Sequence, residues 1–455
     1  MFPPMLGGDD PVALLRRLIR FDTTNPPGAE RACVEHIAEL LSEAGIETRT
    51  LARDPERPNL IARLPGTGEA PPLLLHGHVD VVPTDGQAWR HPPFEAAVKD
   101  GCVWGRGALD MKGGVAMIVW ATLRLHAEGP RLPGDLVLAI LSDEEAGSEH
   151  GAKFLVAEHP EVMDGVRYAI GEGGGHPFDL DGARFYAIKV AEKQYCRVRA
   201  STSGPGGHGS LPVRGGAMAR LGEVLRRLEG RRLPVHLTPA ARAMLEALGR
   251  HVPIANELLD TGRADEILDS LGPDGALFDA LLHHTVNPTI VAGGGMLNVV
   301  PSEVSLDLDG RVLPGFEPED LRRELAEVIG DLADIEIVAC EPAQHEAPDL
   351  GLLGPLCAAL RAADPDAVPI PTLDAGVTDA RVFAELGIQT YGFLPTPLPP
   401  GFDRQALVHG ADERIPVESL VRGAKTLYDA LPHIMRAQRS AVDRPPSGRS
   451  PSRGG

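Results

Sequence analysis

The chain has 455 residues, 43% hydrophobic and 24% charged, the makeup of a globular protein rather than a disordered or fibrous one. Its net charge of −20 disfavours nucleic acid and anionic membrane surfaces, which are bound mainly through Lys and Arg. No apolar run is long enough to span a membrane, no secretory signal pattern opens the chain, and the five cysteines are scattered without metal-site spacing, so a cytoplasmic protein with reduced thiols is expected.

In chain order, PVALLRRLIR (11–20) carries helical periodicity, and FDTTNPPG stops it with turn chemistry. A second helix is predicted over 29–45, then strands near 46–52, 58–64 and 72–82. A helix over 112–128, a strand over 135–141 and a helix over 148–158 follow, then a short strand, VRYAI, that ends at GEGGG. Strands alternating with helices predict an α/β sheet whose functional groups lie beyond the strands' C-terminal ends. Near residue 188 the pattern changes. KQYCRVRAST alternates as a strand, MARLGEVLRRLE is a helix, and a mostly helical stretch covers 235–285. Strands at 288–300 and 303–312, a helix (PEDLRRELAEVIG) and a strand (DIEIVAC) complete a β-α-β-β-α-β order, which is ferredoxin-like. The expected organisation is a discontinuous α/β domain over 1–187 and 343–436 with an α+β domain inserted at 188–342. A Pro/Ser/Gly/Arg-rich disordered tail is expected over 437–455.

The residues that carry chemistry gather at strand ends. PPLLLHGHVDVVP puts His76, His78 and Asp80 on one strand face, where an imidazole and a carboxylate two residues on are either a metal ligand with its orienting partner or a polar strand end with incidental histidines. His76 reads as lining the site rather than ligating. Asp110 lies between glycines just before a helix, where it caps the helix or ligates. The strand LVLAIL ends in Asp143, Glu144 and Glu145; Glu172 ends another strand, and His409 sits in LVHGADERIP. Two imidazoles with three carboxylates form a nitrogen-and-oxygen donor set that suits Zn²⁺, with Co²⁺ or Mn²⁺ as alternatives. One aspartate is able to bridge two ions about 3.5–4 Å apart. In an extended segment adjacent side chains point apart, so one of the two glutamates can bind metal while the other faces water.

In this order, HGHVDVVP, GRGALDMKGG, SDEEAGSEHGA, GEGGG and VHGADE resemble the motifs of the two-zinc aminoacylase/carboxypeptidase family, which includes succinyl-diaminopimelate desuccinylase and acetylornithine deacetylase. The resemblance runs from LLRRLIRFDTTNPPG to VHGADERIP and is closest in look to the carboxypeptidase S-type branch. It implies two zinc ions per subunit, one held by His78, Asp110 and Glu172, the other by Asp110, Glu145 and His409. Glu144 is then the general base, Asp80 supports His78, and the Asp110–Met111 peptide bond is expected to be cis. The inserted domain resembles the family's lid and dimerisation domain. His208 in GPGGHGSLP then reaches the neighbouring subunit's site in a homodimer and meets the oxyanion. Asn298, Arg311, Gly376, Thr378 and Arg381 resemble substrate-binding positions, and Arg311 or Arg381 is placed to fork onto a substrate carboxylate. Val377, between Gly376 and Thr378, departs from the family's pattern, and the helical stretch 235–285 is longer than the minimal lid.

The function so implied is hydrolysis of an amide bond beside a free carboxylate, in an N-acyl amino acid or a dipeptide. Two alternatives are weighed against it. A lidless two-zinc aminopeptidase shares the ligand order but lacks an insertion before the last histidine. A catalytically inactive binding protein on the same scaffold has no need of intact Asp80 and Glu144.

Overall fold

The apolar runs of this sequence become the central strands of a sheet. In the computed structural model, which describes residues 10–129, 131–342 and 345–442, Leu73–His78 and Leu136–Leu141 are buried at every position. They pair in parallel with His76 beside Ala139 and His78 beside Leu141. Continuous burial without alternation is what a strand covered on both faces demands. The strand order is Thr48–Leu51, Asn59–Leu64, Leu136–Leu141, Leu73–His78, Tyr168–Gly171, Gln389–Gly392, Ala183–Glu192 and Val368–Asp374, with Pro177–Leu180 paired beside Ala183–Glu192. The first two strands are antiparallel additions. The helix Lys112–Glu128 is buried on nearly all sides and packs against the strand Leu73–His78 and the helices Pro11–Ile19 and Val417–Val442. Its start is close-packed: a Cβ on Gly113 would lie 2.2 Å from the Ala108 carbonyl oxygen.

The chain divides into two compact units, Met1–Ile188 with Asp349–Ile370 and Glu385–Gly455, and Lys189–Pro348 with Pro371–Ala384. In the second unit four antiparallel strands stand in the order Thr285–Ala292, Glu303–Val312, Gln194–Ser203 and Asp334–Cys340, the ferredoxin-like order. Gln194–Ser203 alternates buried and half-buried residues, as a sheet covered on one face requires. Val198, Ala200, Leu306 and Leu308 meet Leu221 and Val224 of the helix Ala217–Glu229 and Leu325 of the helix Pro318–Ile329. The helical insertion resolves into Pro239–Leu248, Pro253–Glu257, Ala264–Leu271 and Ala276–Leu282.

Several expectations need correction. The strand expected over 288–300 is two, Thr285–Ala292 and Val299–Val300, separated by a turn through Gly293 and Gly294, both at positive φ. The helix expected from 148 begins at Ala152, and the strands Pro177–Leu180 and Ala183–Glu192 were not anticipated. Cys196 and Cys340 are not reduced thiols: they face each other across neighbouring strands, with Cα atoms 4.1 Å apart, and are joined as a disulfide. Cys33, Cys102 and Cys357 are free. Residues 437–442 continue the helix Val417–Val442, and the remainder of the expected tail lies outside the described residues.

Candidate metal centre

His78 closes its strand with the imidazole almost fully buried. Its Nδ1 lies 3.0 Å from the Asp80 carbonyl oxygen and 3.4 Å from Asp80 Oδ1. A proton on Nδ1 satisfies both oxygens and leaves the Nε2 lone pair pointing away from them, the arrangement of a metal-ligating histidine. Nε2 makes no hydrogen bond and lies 3.4 Å from Asp110 Oδ1, 3.7 Å from Glu172 Oε2 and 4.0 Å from Glu144 Oε2. Asp80 has a second task. Its two oxygens accept the backbone N–H groups of Glu144 and Glu145, each at 3.1 Å, so one carboxylate orients the imidazole and holds the glutamate pair.

The pair is not extended, as the sequence reading had it. Glu144–Ala146 form a single 3₁₀ turn, entered through Asp143 at a left-handed φ of 69°. That conformation is costly for a residue with a Cβ and persists only where surroundings enforce it. Here Asp143 accepts Asn25 Nδ2 at 3.0 Å and the His150 N–H at 3.0 Å, and pairs with Arg57 at 2.9 Å. Asn25 Nδ2 also donates to Asp80 at 2.8 Å, and Arg57 is tied to Glu30 at 2.7 Å. All are buried. Asn25, Glu30 and Arg57 carry no signal in the sequence, because their partners are far along the chain; only the acid run and Asp80 signalled the site.

Asp110 does not cap the following helix, whose N-cap is Met111. Its loop is pinned by Glu413, which is fully buried and accepts N–H groups of Gly107 (3.1 Å), Leu109 (2.7 Å) and Asp110 (3.1 Å) besides Arg106 Nη1 at 2.7 Å. The Asp110–Met111 bond is cis. Glu413 stood in the quoted VHGADE motif, but nothing in its spacing revealed this clamp. His409, at a left-handed φ of 61°, puts Nε2 3.3 Å from Asp110 Oδ2 and 3.3 Å from Glu145 Oε2. Its carbonyl accepts Gln87 Nε2 at 2.8 Å and Arg106 Nη2 at 3.2 Å. Two donor groups result, His78 with Asp110 and Glu172, and Asp110 with Glu145 and His409; within each, the donor atoms lie within 4.8 Å of one another. His76 is in neither: its ring packs against the backbone of Gly171, where a Cβ would come within 2.3 Å of Nε2.

The charges are crowded. Burial disfavours the cationic form of His78, yet Glu172, Asp110 and Asp80 hold its imidazole well above the ordinary range. Asp110 and Glu145 push His409 up to about 10. Burial raises the Glu145 carboxyl to about 7 against the pull of His409, while His409 and His78 hold Asp110 well below the usual carboxylate range despite its burial. Without a cation, protons on the two imidazoles offset only part of the carboxylate charge. Nitrogen and carboxylate donors without thiolate, with the His78 lone pair already aimed inward, fit zinc-type ions.

A third group, His236, His284 and Glu324, lies in the inserted unit. The Leu313 N–H donates to His284 Nδ1 at 3.0 Å, so in the neutral ring the proton sits on Nε2, and that nitrogen is closed to a metal.

The other expected site residues belong to the inserted unit. His208 and Asn298 are exposed neighbours on the small ladder of Gly207–His208 with Val299–Val300, where the Gly209 N–H donates to the Asn298 carbonyl at 2.7 Å. Arg311 is held bidentately by Asp309 at 2.6 and 3.1 Å and lies over the Tyr195 ring. Arg311 and Gly376 line one cavity of ≈890 Å³. The Thr378 hydroxyl is buried between Lys189 Nζ and Glu192 Oε2, both at 2.9 Å, and Arg381 is buried against Glu341 at 3.2 Å.

Comparison with known proteins places this geometry. Residues 74–433 match the model of peptidase family M20/M25/M40. The chain is 28% identical to a probable carboxypeptidase S-like 2 of Dictyostelium discoideum over 378 residues, 80% of this chain and 71% of that protein. It is 25% identical to aminoacylase-1 of Mus musculus over 425 residues, 90% of this chain and 92% of the relative. Among solved structures, an M20 family metallo-carboxypeptidase from Sulfolobus solfataricus superposes with a TM-score of 0.70 at 17% identity, covering 94% of this chain and all (100%) of that one, a likeness of fold. The chain therefore belongs to peptidase family M20/M25/M40 and is a metallohydrolase of that family.

Proposed function

We propose that this hydrolase cleaves an amide bond beside a free carboxylate, in an N-acyl amino acid or a dipeptide. The observation that carries the reading is the sharing of Asp110 between two donor groups, with the Glu144 carboxylate beside them but in neither. His78, Asp110 and Glu172 would hold one zinc ion and Asp110, Glu145 and His409 a second, with Co²⁺ or Mn²⁺ as substitutes. Ions bound there supply Lewis acidity to a carbonyl and lower the pKa of a water. Glu144 takes the proton of the attacking water and delivers it to the leaving amine. Asp80 keeps the His78 lone pair directed inward and holds the turn that carries Glu144. His208 donates to the developing oxyanion from the partner subunit of a homodimer. Asn298, Arg311, Gly376, Thr378 and Arg381 form the substrate side. The edge strand Thr285–Ala292 supports a self-association surface, since Ile290 and Val291 are 57% and 55% exposed there.

Similarity to proteins named carboxypeptidase and aminoacylase supports the substrate class. The four-stranded inserted unit counts against a lidless aminopeptidase. The retained Asp80 and Glu144 count against an inactive binding protein. No helix among the described residues is long and apolar enough to cross a membrane; the expected cytoplasmic setting is opposed by the Cys196–Cys340 disulfide. A panel of N-acyl amino acids and dipeptides, assayed with Zn²⁺, Co²⁺ or Mn²⁺ after chelation, tests the reading. Metal-restored hydrolysis of at least one panel member is expected; metal binding without turnover of any amide would favour the inactive binding protein.

A further inference from the structure

The two histidines of the candidate centre are held in different ways. His78 is oriented through its ring, because oxygens of Asp80 accept from Nδ1 and leave Nε2 to the centre. His409 has no such partner. Its side chain is 52% exposed and meets only Asp110 and Glu145, both through Nε2. Neither packing nor a second ring hydrogen bond among the described residues fixes this imidazole, so its support acts through the backbone.

That backbone is strained. His409 and Asp412 stand at left-handed φ, 61° and 60°, a conformation that a residue with a Cβ keeps only where its surroundings enforce it. One segment, 87–90, grips both. Gln87 Nε2 donates to the His409 carbonyl at 2.8 Å, and the Arg90 N–H donates to Asp412 Oδ1 at 2.8 Å. The Arg90 guanidinium also lies 3.0 Å from Asp412 Oδ2, but its side chain is 76% exposed, and a pair so exposed is worth little.

The amide of Gln87 is used at both ends. Its Oε1 accepts Trp89 Nε1 at 3.2 Å and Arg106 Nη2 at 2.8 Å. Indole and guanidinium only donate, so the oxygen must face them and the NH₂ must face the carbonyl. Arg106, buried and tied to Glu413 at 2.7 Å, reaches the His409 carbonyl at 3.2 Å and lies over the Trp89 ring. Gln87 is thus anchored on the same arginine and glutamate that hold the Asp110 loop. A leucine there has no polar atom, and a glutamate offers the carbonyl no donor.

We infer that Gln87 is the positioning residue for His409: by holding the carbonyl it fixes the strained backbone, and with it the imidazole of the second donor group. The inference rests on the proposed two-ion reading and extends it to a residue that lies in neither donor group.

Zinc binding to chains with a single site is the test, read by competition with a chromophoric chelator rather than by turnover. Glu172→Gln leaves only the group that contains His409, and His409→Ala leaves only the group that contains His78. Gln87→Met keeps the length of the side chain and removes the donor. It is expected to weaken Zn²⁺ by about 10- to 100-fold in the Glu172→Gln chain, the usual loss when a ligand's support is removed. In the His409→Ala chain it should leave the affinity unchanged, which also shows that the variant folds. Trp89→Phe, which keeps a ring beside Arg106 and drops the bond to Gln87, should give a smaller loss in the Glu172→Gln chain alone. Equal weakening in both chains would make Gln87 merely structural and overturn the inference, as would an unchanged affinity in the Glu172→Gln chain. A Glu172→Gln chain that binds no Zn²⁺ with Gln87 intact would instead remove the two-ion reading, and this inference with it.

Discussion

Glu144 and Glu145 occupy one turn, yet their carboxylates meet different partners: Glu145 lies 3.3 Å from His409 Nε2 and Glu144 4.0 Å from His78 Nε2. The two positions therefore separate by experiment. Glu144→Ala should keep its metal and lose about 10²–10⁴-fold in turnover, the usual loss for a positioned base. Glu145→Ala should lose metal instead, and elemental analysis beside kinetics reads both; the reverse pattern would exchange the roles. A second prediction concerns protons. In the metal-free chain at pH 7, His409, at about 10, is cationic, and His78, held well above its ordinary range, is raised in the same direction. A metal takes only the unprotonated ring, so binding must release protons, and apparent affinity must fall as pH falls below about 10. Calorimetry at pH 7 in buffers of different ionisation enthalpy measures that release, and a binding heat independent of buffer would contradict it. The donor residues were legible in the sequence because each ends a strand or a glycine-rich loop. Asn25, Arg57 and Glu413 were not, because a buried polar partner has no local signature: Glu413 meets Asp110 only through the fold.

At the scale of elements, the site depends on loops held from a distance. Glu413 takes three backbone N–H groups of the Asp110 loop and one arm of Arg106. Glu413→Ala would strand Arg106 as a buried unpaired cation, a loss of about 3–5 kcal/mol. Urea unfolding should register that loss together with weaker metal retention, and a change below about 1 kcal/mol would show the clamp to be dispensable. The strands Leu73–His78 and Leu136–Leu141 could be read from their apolar runs alone, and the helix Lys112–Glu128 from the length of its run. The strand Ala183–Glu192 was missed, and with it the fact that the change of pattern near 188 falls inside an element. The expected strand 288–300 failed at Gly293 and Gly294, where positive φ breaks what hydropathy alone treats as continuous.

For the whole molecule, the β-α-β-β-α-β order gave away the inserted unit, since helix and strand periodicities differ sharply there. The Cys196–Cys340 bond was invisible: 144 residues separate the partners, and only the antiparallel register brings them opposite. Disulfides are rare in reducing compartments, so this bond stands against the cytoplasmic setting that composition favours. The proposed role of His208 has a consequence at this scale. Mixing Glu144→Ala with His208→Ala subunits, each inactive alone, should restore activity, because a heterodimer pairs an intact Glu144 with an intact His208 from its partner. No recovery despite demonstrated subunit exchange would confine His208 to its own chain or to no role. The central claim is that Asp110 is shared by two metal sites, and metal stoichiometry tests it most directly. Elemental analysis after equilibration with Zn²⁺ should find two ions per chain in the wild type, one in Glu172→Gln or His409→Ala, and fewer than one in Asp110→Asn. Two ions retained by Asp110→Asn, or a single ion in the wild type, would contradict the account.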